Sequence, residues 1–490
     1  MQLVQLVQLG TCSFCTTWNV RLGTGPIRTI PQLSVQNEKM VQNEHVPNCT
    51  IKKGALMSES EKIDILLLGA GGREHALLCK LAESPRAGKL WAAPGNGGIL
   101  AEATLAEGLD QDAPAAVADF ATSHGIDLVV IGPEAPLAEG VGDAVRAAGI
   151  ACFGPNGDAA QMEGSKLFAK QVMERAGVPT ACYQSFTEAA PAEAYVRELD
   201  GPCVVKADGL AAGKGVIVAQ TTEQALAGVR ECFSGTFGEA GKTVVVEEML
   251  KGPECSLLAL TDGKTVLPLA SAQDHKRALE GDLGPNTGGM GVYSPVPFVT
   301  PEEHEAMVDI ERRVVAQLAA DGITYSGCLY GGFMLTKDGP KVLEFNARFG
   351  DPETQVVLPR MDCDLVDVFL RCDNGTLDGA RVRWEDDFAV SVVLTSAGYP
   401  GYYEKGKVIT GIEDAERLPG VTVYHAGTKL VGGELVTNGG RVLNVTAVAD
   451  TFQRAREQAY KAAELIDFEG KTLRHDIGAR ALRGREAWEV

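Results

Sequence analysis

The sequence predicts an α/β fold that begins with a parallel β-sheet, and three observations lead to this prediction. Ile63–Leu68 and Leu128–Ile131 are short apolar runs with the length and composition of buried strands. Helical patterns follow both runs, over 72–81 and 137–148. Strands that alternate with helices along a chain form parallel sheets covered on both faces.

Glycine-containing loops follow the strands of this predicted sheet, at 69–72, 94–96 and 132–134. In open α/β sheets, ligands bind beyond the carboxyl ends of the strands. The first loop looks like a dinucleotide-binding turn, but Glu74 stands where the G-x-G-x-x-G pattern needs its third glycine. The residues favour instead a phosphate-bearing ligand over the N-terminus of the next helix.

The α/β pattern continues after this sheet. Ser165 begins a helical segment that ends at Gly177, because glycine is a common helix stop. Thr243–Glu248 has the composition of a strand, as do Ala389–Leu394 and Val442–Thr446 in a further mixed unit.

Composition argues against several classes of protein. The chain has 490 residues, enough for about three domains. Its net charge of −20 argues against a nucleic-acid partner held by bulk electrostatics. Because there is no run of about 18 apolar residues, we expect no transmembrane helix and no membrane partner. Most of the 12 cysteines lie in apolar or strand-like runs, which is typical of buried free thiols in a reducing compartment.

The most informative stretch is the loop 206–215, which reads K-A-D-G-L-A-A-G-K-G between the strand-like runs Cys203–Val205 and Val216–Val218. Glycine lets backbone N–H groups approach an anion closely, and lysine supplies positive charge. The loop departs from the Walker pattern, which needs G-x-x-x-x-G-K-[ST] before a helix. It predicts either a polyphosphate-binding turn or an ordinary hairpin with a glycine-rich tip.

A second candidate is a strand-like run that carries Glu344, Asn346 and Arg348 at alternate positions. Because side chains alternate along a strand, all three are predicted on one face. Carboxylate and amide oxygens suit Mg²⁺, and an arginine beside them can bind a carboxylate or a phosphate. The alternative is a solvated strand face with an ion pair.

A third candidate combines Gln273–Arg277 with the glycine-rich run 284–291, whose successive N–H groups can bind an anion. The alternative is a flexible surface loop, and His275 is as compatible with a structural role as with that of a general base. Glu247 and Glu254 lie near the end of a strand, where carboxylates can bind ribose hydroxyls but are also common as exposed groups.

The order of these candidates resembles the ATP-grasp superfamily: Lys166, the 206–215 loop, Glu247–Leu250 and Glu344–Asn346. The flanking strings are similar to the phosphoribosylamine–glycine ligase family over about residues 62–485. These strings are G-G-R-E-H at 71–75, A-P-G-N at 93–96, G-P-E-A-P at 132–136, S-A-Q-D-H-K-R at 271–277, R-F-G-D-P-E-T at 348–354 and A-G-T-K at 426–429.

The resemblance implies ATP-dependent ligation of glycine to 5-phosphoribosylamine through glycyl phosphate. The products would be glycinamide ribonucleotide, ADP and phosphate, a step of de novo purine synthesis, with ATP and Mg²⁺ or Mn²⁺ as cofactors. The implied ATP-binding residues are Lys166, Lys206, Gly209, Gly213, Lys214, Gly215, Glu247, Glu248, Leu250 and Glu254. The implied metal ligands are Glu344 and Asn346, and the implied catalytic residues are Arg348, for the glycine carboxylate, with Asp274 and Lys276. The implied substrate contacts are Gly72, Asn96, Glu134, Thr287, Gly288, Gly289 and Met290.

The resemblance also implies a domain order. A Rossmann-like domain for the phosphoribosyl substrate (60–162) precedes an ATP-grasp domain (163–386, with a lid at about 180–250) and a small mixed α/β domain (387–490). Residues 1–59 are low in acid and carry scattered basic residues, which suggests a transit peptide for a plastid or mitochondrion. Without such a function for this segment, a cytoplasmic location is expected. We expect a monomer or a small homo-oligomer.

Two other functions stay open. An ATP-grasp carboxylase acts through carboxyphosphate, so the ATP-binding core alone does not separate it from a glycine ligase. The strings at 274–277 and 287–291 favour glycine. A catalytically silent nucleotide-binding module is the other possibility, and the presence of Lys206, Glu344 and Arg348 argues against it.

Overall fold

The N-terminal part of the structure is a sheet of five parallel strands, which confirms the predicted sheet. The computed structural model describes residues 62–210 and 215–483. The strands are β1 (Ile63–Gly69), β2 (Ala87–Pro94), β3 (Thr104–Leu105), β4 (Leu128–Ile131) and β5 (Ala151–Phe153), and the helices are α1 (Gly72–Ala82), α2 (Ile99–Glu102), α3 (Pro114–His124), α4 (Glu134–Ala138) and α5 (Val141–Ala147). The strand order is β3-β2-β1-β4-β5, so the loops after β1, β2 and β4 meet at one edge of the sheet.

The helix predicted over 137–148 is wrong in one respect, because the structure divides it into α4 and α5. Gly140 separates the two helices with φ +83°, a left-handed conformation that an α-helix does not contain. The first of the two helices, α4, begins at Glu134, directly after the carboxyl end of β4.

An antiparallel sheet follows two helices, α6 (Gly157–Gly164) and α7 (Lys166–Ala176). Its elements are β6 (Tyr183–Phe186), α8 (Ala189–Leu199), β7 (Cys203–Ala207), β8 (Val216–Ala219), α9 (Thr222–Glu231), irregular helical turns at Cys232–Thr236 and Gly238–Lys242, and β9 (Val244–Glu248). The strand order is β6-β9-β7-β8. The predicted limits of α7 are confirmed: Ser165 Oγ accepts a hydrogen bond from Phe168 N at 3.0 Å, and Gly177 ends the helix in the left-handed conformation.

The next segment contains β10 (Glu254–Asp262), β11 (Val266–Pro268), β12 (Gln273–Asp274), β13 (Arg277–Leu279), β14 (Leu283–Asn286), β15 (Gly291–Ser294), α10 (Pro301–Ala320), β16 (Ser326–Thr336) and β17 (Gly339–Asn346). Four of these strands form an antiparallel sheet in the order β11-β10-β16-β17, and β13 and β14 form a hairpin. The long central strands β10 and β16 are almost entirely buried and form the core of this part.

The last segment contains α11 (Thr354–Val357), β18 (Met361–Asp362), α12 (Leu365–Asp373), β19 (Arg383–Trp384), β20 (Phe388–Ser396), α13 (Ile412–Glu416), β21 (Val421–His425), β22 (Thr428–Val431), β23 (Glu434–Thr437), β24 (Arg441–Ala449), α14 (Phe452–Leu465) and β25 (Lys471–Thr472). Its sheet has the order β12-β15-β20-β24-β21, with β25 paired to β20; we call it the C-terminal sheet. Strands β12 and β15 come from the range predicted as the ATP-grasp domain. The C-terminal sheet therefore holds both ends of the 275–290 segment. Among the described residues, no helix is long and apolar enough to cross a membrane.

Glu311 on α10 is a buried carboxyl group that lacks a hydrogen-bond partner among the described residues. Burial raises its pKa well above the ordinary value of 4.5, so folding keeps it protonated while the unfolded chain ionises. The loss of folding stability that this buried group causes is absent below about pH 4.5 and grows as the pH rises toward the folded-state pKa.

We expect Glu311→Met to stabilise the protein by about 1–3 kcal/mol at pH 8, because it removes an unsatisfied buried polar group. The gain should shrink at pH 4. Urea unfolding of the full chain at both pH values measures it. Glu305→Met, which removes an exposed acid from the same helix, is the control and should show no pH-dependent gain; an equal gain at pH 4 and pH 8 would contradict the argument.

Candidate functional site

The two strongest sequence signals lie side by side in the structure. Lys206, on β7, donates a hydrogen bond from Nζ to the carbonyl oxygen of Leu343 on β17 at 3.0 Å. Glu344 is the next residue, and its Oε1 lies 3.3 Å from Lys276 Nζ. Lys166, at the first position of α7, donates to Gly209 O at 2.9 Å. Lysines from α7, from β7 and from the segment between β12 and β13 thus lie around one carboxylate on β17.

The charges of this cluster support one another. Lys276 has the largest effect on Glu344 and lowers its pKa. Burial acts in the opposite direction, but Lys206 and Lys166 add to the effect of Lys276, and the pKa of Glu344 falls to about 2. Burial disfavours the charged form of Lys276, but Glu344, Tyr330 and Glu254 outweigh it and raise its pKa. Glu344 is therefore a carboxylate beside cationic Lys276 at neutral pH.

Glu247, predicted to contact adenine, is a buried partner of two lysines in the structure. Its carboxylate lies 3.1 Å from Lys170 Nζ and 2.9 Å from Lys206 Nζ, and its side chain is 2% exposed. Burial lowers the pKa of Lys170 to about 8, and Glu247 opposes that effect. Lys170 is a residue of the site that sequence reasoning did not assign, although its position one turn after Lys166 on α7 is a signal for it.

The other residues predicted for adenine and ribose lie at the edge of this cluster. Glu248 Oε1 accepts a hydrogen bond from Cys182 N at 3.0 Å, and Glu254 lies 3.9 Å from Lys276 Nζ. Leu250 is partly buried in the segment between β9 and β10. Within the loop predicted to bind phosphates, Gly213 and Lys214 lie outside the described residues, as does the predicted leader, 1–59.

Gly209 and Gly215 flank that part of the loop. Gly209 has φ +147°, and a Cβ there would come within 2.7 Å of Ala240. Gly215 O accepts a hydrogen bond from Ala207 N at 2.8 Å. The backbone at both positions is therefore fixed by the described structure.

Arg348 departs from its predicted place on the strand face, because β17 ends at Asn346. Its Nη2 lies 2.7 Å from Glu163, and its Nε lies 3.5 Å from Glu134. Glu134, a predicted substrate contact on α4, therefore lies beside the same guanidinium as Glu163. Asn346, with its amide nitrogen toward Glu163, places that nitrogen 3.3 Å from Glu163 Oε1. Glu163 on α6 is therefore a site residue that sequence reasoning missed.

Electrostatics distinguish the two glutamates beside Arg348. Burial opposes ionisation of Glu134, but Arg348 and Arg73 outweigh it and lower its pKa. For Glu163, burial dominates and raises the pKa in spite of Arg348. Removal of the guanidinium would leave the buried carboxyl group of Glu163 and the partly exposed one of Glu134 without their cation.

Asp274 and the loop at 287–290, which we call the acyl loop, face each other. Burial, with Glu353 next, raises the pKa of Asp274 well above its ordinary value. Gly289 has φ +118°, and a Cβ there would lie 2.6 Å from Asp274 Oδ1 and 2.5 Å from Pro352. Thr287 Oγ1 donates to Lys276 O at 2.9 Å and accepts from Gly289 N at 3.0 Å. The glycine is required because the loop passes directly over the carboxyl group.

His275 is fully bonded to the backbone. Its Nε2 accepts a hydrogen bond from Gly478 N at 3.2 Å, and its Nδ1 lies 3.1 Å from Gly291 O. The proton therefore sits on Nδ1. Burial lowers its pKa to about 4. This geometry favours the structural interpretation of His275.

The N-terminal candidates take part in packing. Asn96 Nδ2 donates to Ala70 O at 2.9 Å and to His425 O at 2.8 Å, while its Oδ1 accepts from the N–H groups of Gly98 and Ile99. Gly72 allows close approach, since a Cβ there would lie 2.2 Å from Asn444 Nδ2. Both residues join the first sheet to the C-terminal sheet.

The N-terminus of α1, where a phosphate-bearing ligand is predicted, already has a carboxylate of the chain beside it. Glu74 folds back over the glycine turn, and its Oε2 accepts a hydrogen bond from Gly71 N at 2.6 Å. Its Oε1 lies 2.5 Å from Arg73 Nε. The chain's own carboxylate therefore takes up the N–H group of Gly71 and faces the positive end of the helix.

Glu344 and Asn346 are the described residues that fit a divalent cation. A carboxylate and an amide oxygen are hard ligands that suit Mg²⁺, which completes its shell with water and phosphate oxygens. A second cluster, His75, Cys79 and Glu102, has potential ligand atoms within 4.8 Å of one another. His75 Nδ1, however, accepts a hydrogen bond from His425 N at 2.8 Å, so its proton sits on Nε2 and that nitrogen cannot bind a metal.

Comparisons with known proteins agree with this geometry. Three family models match the chain in order: the phosphoribosylglycinamide synthetase N domain at 63–163, its ATP-grasp (A) domain at 164–354 and its C domain at 389–480. A phosphoribosylamine–glycine ligase of Rhizobium meliloti is 51% identical over 419 residues, which are 85% of this chain and 98% of that protein. One from Yersinia pestis is 51% identical over 430 residues, 86% of this chain and 100% of that protein.

Solved structures show the same relationship. The crystal structure of phosphoribosylamine–glycine ligase from Thermotoga maritima is 33% identical, with a TM-score of 0.74 over 85% of this chain and 100% of that one. The biotin carboxylase domain of 2-oxoglutarate carboxylase from Hydrogenobacter thermophilus is 18% identical, with a TM-score of 0.63 over 84% of this chain and 91% of that one. The second likeness shows a shared fold alone.

Proposed function

This chain belongs to the phosphoribosylglycinamide synthetase family, with phosphoribosylamine–glycine ligase activity in purine synthesis, and from that premise we propose how its described residues divide the reaction. The observation that carries the proposal is the convergence of Lys166, Lys206 and Lys276 on Glu344. Such a cluster suits a metal-bound triphosphate, because the lysines can neutralise the negative phosphates and the carboxylate can bind the positive metal ion.

Lys166 and Lys206 bind the ATP phosphates. Both ammonium groups rest on backbone carbonyls, of Gly209 and Leu343, and point into one cluster. The buried pair of Lys170 and Glu247 fixes Lys206 from behind. Glu248 and Leu250 lie toward the adenine, and Glu254 toward the ribose.

Glu344 and Asn346 would hold Mg²⁺ or Mn²⁺. A divalent cation bound by them would neutralise charge on the phosphates. Glu344 is suited to this role because its low pKa keeps it ionised throughout the physiological range.

Glycine binds between Arg348 and the acyl loop. Arg348 has five N–H donors. Glu163 takes one at 2.7 Å, Phe349 O a second at 3.4 Å, and Nε lies 3.5 Å from Glu134, which leaves further N–H groups of Nη1 and Nη2 for a substrate carboxylate. Transfer of the γ-phosphoryl group to that carboxylate gives glycyl phosphate and ADP. The amine of phosphoribosylamine then attacks the acyl carbon, phosphate leaves, and the amine loses a proton. Asp274, Lys276 and Thr287–Met290 surround the acyl phosphate, and Gly72, Asn96 and Glu134 lie on the phosphoribosyl side.

Release of ADP by the purified full chain tests the substrate. We expect turnover with ATP, Mg²⁺, glycine and freshly prepared phosphoribosylamine, and none when bicarbonate replaces glycine. Bicarbonate-dependent turnover without glycine would favour a carboxylase. Binding of ATP with no turnover in the complete mixture would favour a silent nucleotide-binding module.

We also propose that residues 1–59 direct the protein to an organelle, on the basis of their low acid content and scattered basic residues. A fusion of residues 1–60 to a fluorescent reporter should localise to plastids or mitochondria. A diffuse cytoplasmic signal would contradict the proposal.

A further inference from the structure

Arg441, the first residue of β24 in the C-terminal sheet, connects two loops of the candidate site. Its Nη1 donates to Gly288 O in the acyl loop and, at 2.9 Å, to Asp351 O. Its Nη2 lies 3.0 Å from the Asp351 carboxylate. One guanidinium therefore fixes the acyl loop to the turn that follows Arg348.

The acyl loop has little freedom around this contact. A Cβ on Gly288 would lie 3.0 Å from Arg441 Cζ, and a Cβ on Gly289 would lie 2.6 Å from Asp274 Oδ1. The backbone of the loop is thus packed between the guanidinium on one side and the carboxyl group on the other. Its position depends on where Arg441 stands.

The C-terminal sheet holds the same loop at further points. Tyr399, in the segment after β20, accepts a hydrogen bond at its hydroxyl from Gly288 N at 3.0 Å. Val393 N, on β20, donates to Met290 O at 3.1 Å. Lys166 and Lys206 instead donate to Gly209 O and Leu343 O, outside this loop.

We propose that Arg441 is a positioning residue that sets the acyl loop for glycyl transfer, assisted by Tyr399. This inference rests on the proposed function of the acyl loop. Nucleotide binding depends on elements that Arg441 does not touch, so its loss should impair the acyl half of the reaction selectively. A displacement of about 1 Å in a positioning element can cost about 100-fold in rate.

A defect in the transfer of the glycyl group can be recognised from the ratio of ADP to product. When the acyl loop is misplaced, water can attack glycyl phosphate before the amine does, returning glycine and phosphate after ADP has formed. The amount of ADP per glycinamide ribonucleotide then exceeds one. A loss of general stability would lower ADP and product together and leave this ratio at one.

The experiment measures ADP and glycinamide ribonucleotide in parallel for wild type, Arg441→Met and Arg441→Lys. For Arg441→Met we expect product formation to fall about 10- to 100-fold, the KM for glycine to rise, the KM for ATP to stay within twofold, and the ratio to exceed one. Lysine keeps the charge, but its single nitrogen cannot replace both Nη1, which meets the two carbonyls, and Nη2, which meets the Asp351 carboxylate. We therefore expect Arg441→Lys to retain most of the defect. Arg454→Met, which removes an exposed arginine from α14 of the same segment, should match wild type.

Several outcomes overturn the inference. The first is product formation by Arg441→Met within twofold of wild type. The second is a ratio of ADP to glycinamide ribonucleotide of one in Arg441→Met, together with a raised KM for ATP. The third is full activity in Arg441→Lys. If Arg441→Met does not fold, Tyr399→Phe decides: we expect a loss of about two- to tenfold, the worth of one hydrogen bond, with a raised ratio. An unchanged Tyr399→Phe enzyme then overturns it. Wild-type protein without glycine-dependent product refutes the proposed function instead.

Discussion

Replacement of Glu344 with alanine is expected to reduce ligation about 1,000-fold, while the protein still folds cooperatively. The carboxylate is surrounded by Lys276, Lys206 and Lys166, which together keep its pKa at about 2. Loss of this charge removes the proposed metal ligand and leaves the lysines without their common partner. Removal of one preorganised electrostatic group from an active site costs about 100- to 1,000-fold in kcat, and the metal ligand adds to that.

The rate of ADP release at saturating Mg²⁺ measures this effect. Glu344→Gln keeps the size of the side chain, so a shift of its Mg²⁺ half-saturation to higher concentration would assign the loss to metal binding. Asp338→Asn changes an exposed acid in the turn between β16 and β17, at the far end of the same hairpin, and should behave as wild type. Activity of Glu344→Ala within tenfold of wild type would refute the ligand assignment.

Replacement of Arg348 with methionine is expected to damage both stability and turnover. Glu163 and Glu134 would lose their cation, and the side chain of Glu163 is 9% exposed. Removal of one partner from a buried ion pair costs about 3–5 kcal/mol. Since Arg348 is also the proposed contact of the glycine carboxylate, we expect glycine-dependent turnover to fall by at least about 100-fold.

A double variant separates these two effects. Arg348→Met with Glu163→Gln removes the unpaired carboxyl, so unfolding in urea should show that most of the lost stability returns. Turnover should stay low, because glycine still lacks its partner. Arg371→Met, which breaks an exposed pair with Asp367 on α12, is the control. Recovery of activity together with stability in the double variant would show that Arg348 acts only through structure.

The sequence predicted those parts of the fold and site that depend on local pattern. Apolar runs with alternating helices were sufficient for the parallel sheet, and capping residues for both ends of α7. The glycine and lysine loop and the strand ending at Asn346 carry their chemistry in adjacent residues, so Lys206 and Glu344 could be selected before the fold was known. Whether the roles assigned to them are correct stays a prediction.

The residues that were missed depend on packing between distant segments. Glu163 meets Arg348 across 185 positions of sequence, and Arg441 meets Gly288 across 153. No periodicity within one segment encodes such contacts. Strand alternation gives the side of the sheet on which Glu247 lies, but its partner Lys170 comes from a helix. The break at Gly140 was missed because glycine is tolerated inside helical patterns at a modest cost.

The contact that Asn96 makes between the first sheet and the C-terminal sheet has a consequence for biosynthesis. The Asn96 amide binds Ala70 O, which is close in sequence, and His425 O, which the ribosome adds 329 residues later. Chains emerge N-terminal end first, at about 5–20 residues per second. The first sheet can therefore form early during translation, but this side chain gains its last acceptor only when nearly the whole chain has been made. During most of its synthesis, the nascent protein therefore exposes the surface around Asn96 to solvent and to chaperones.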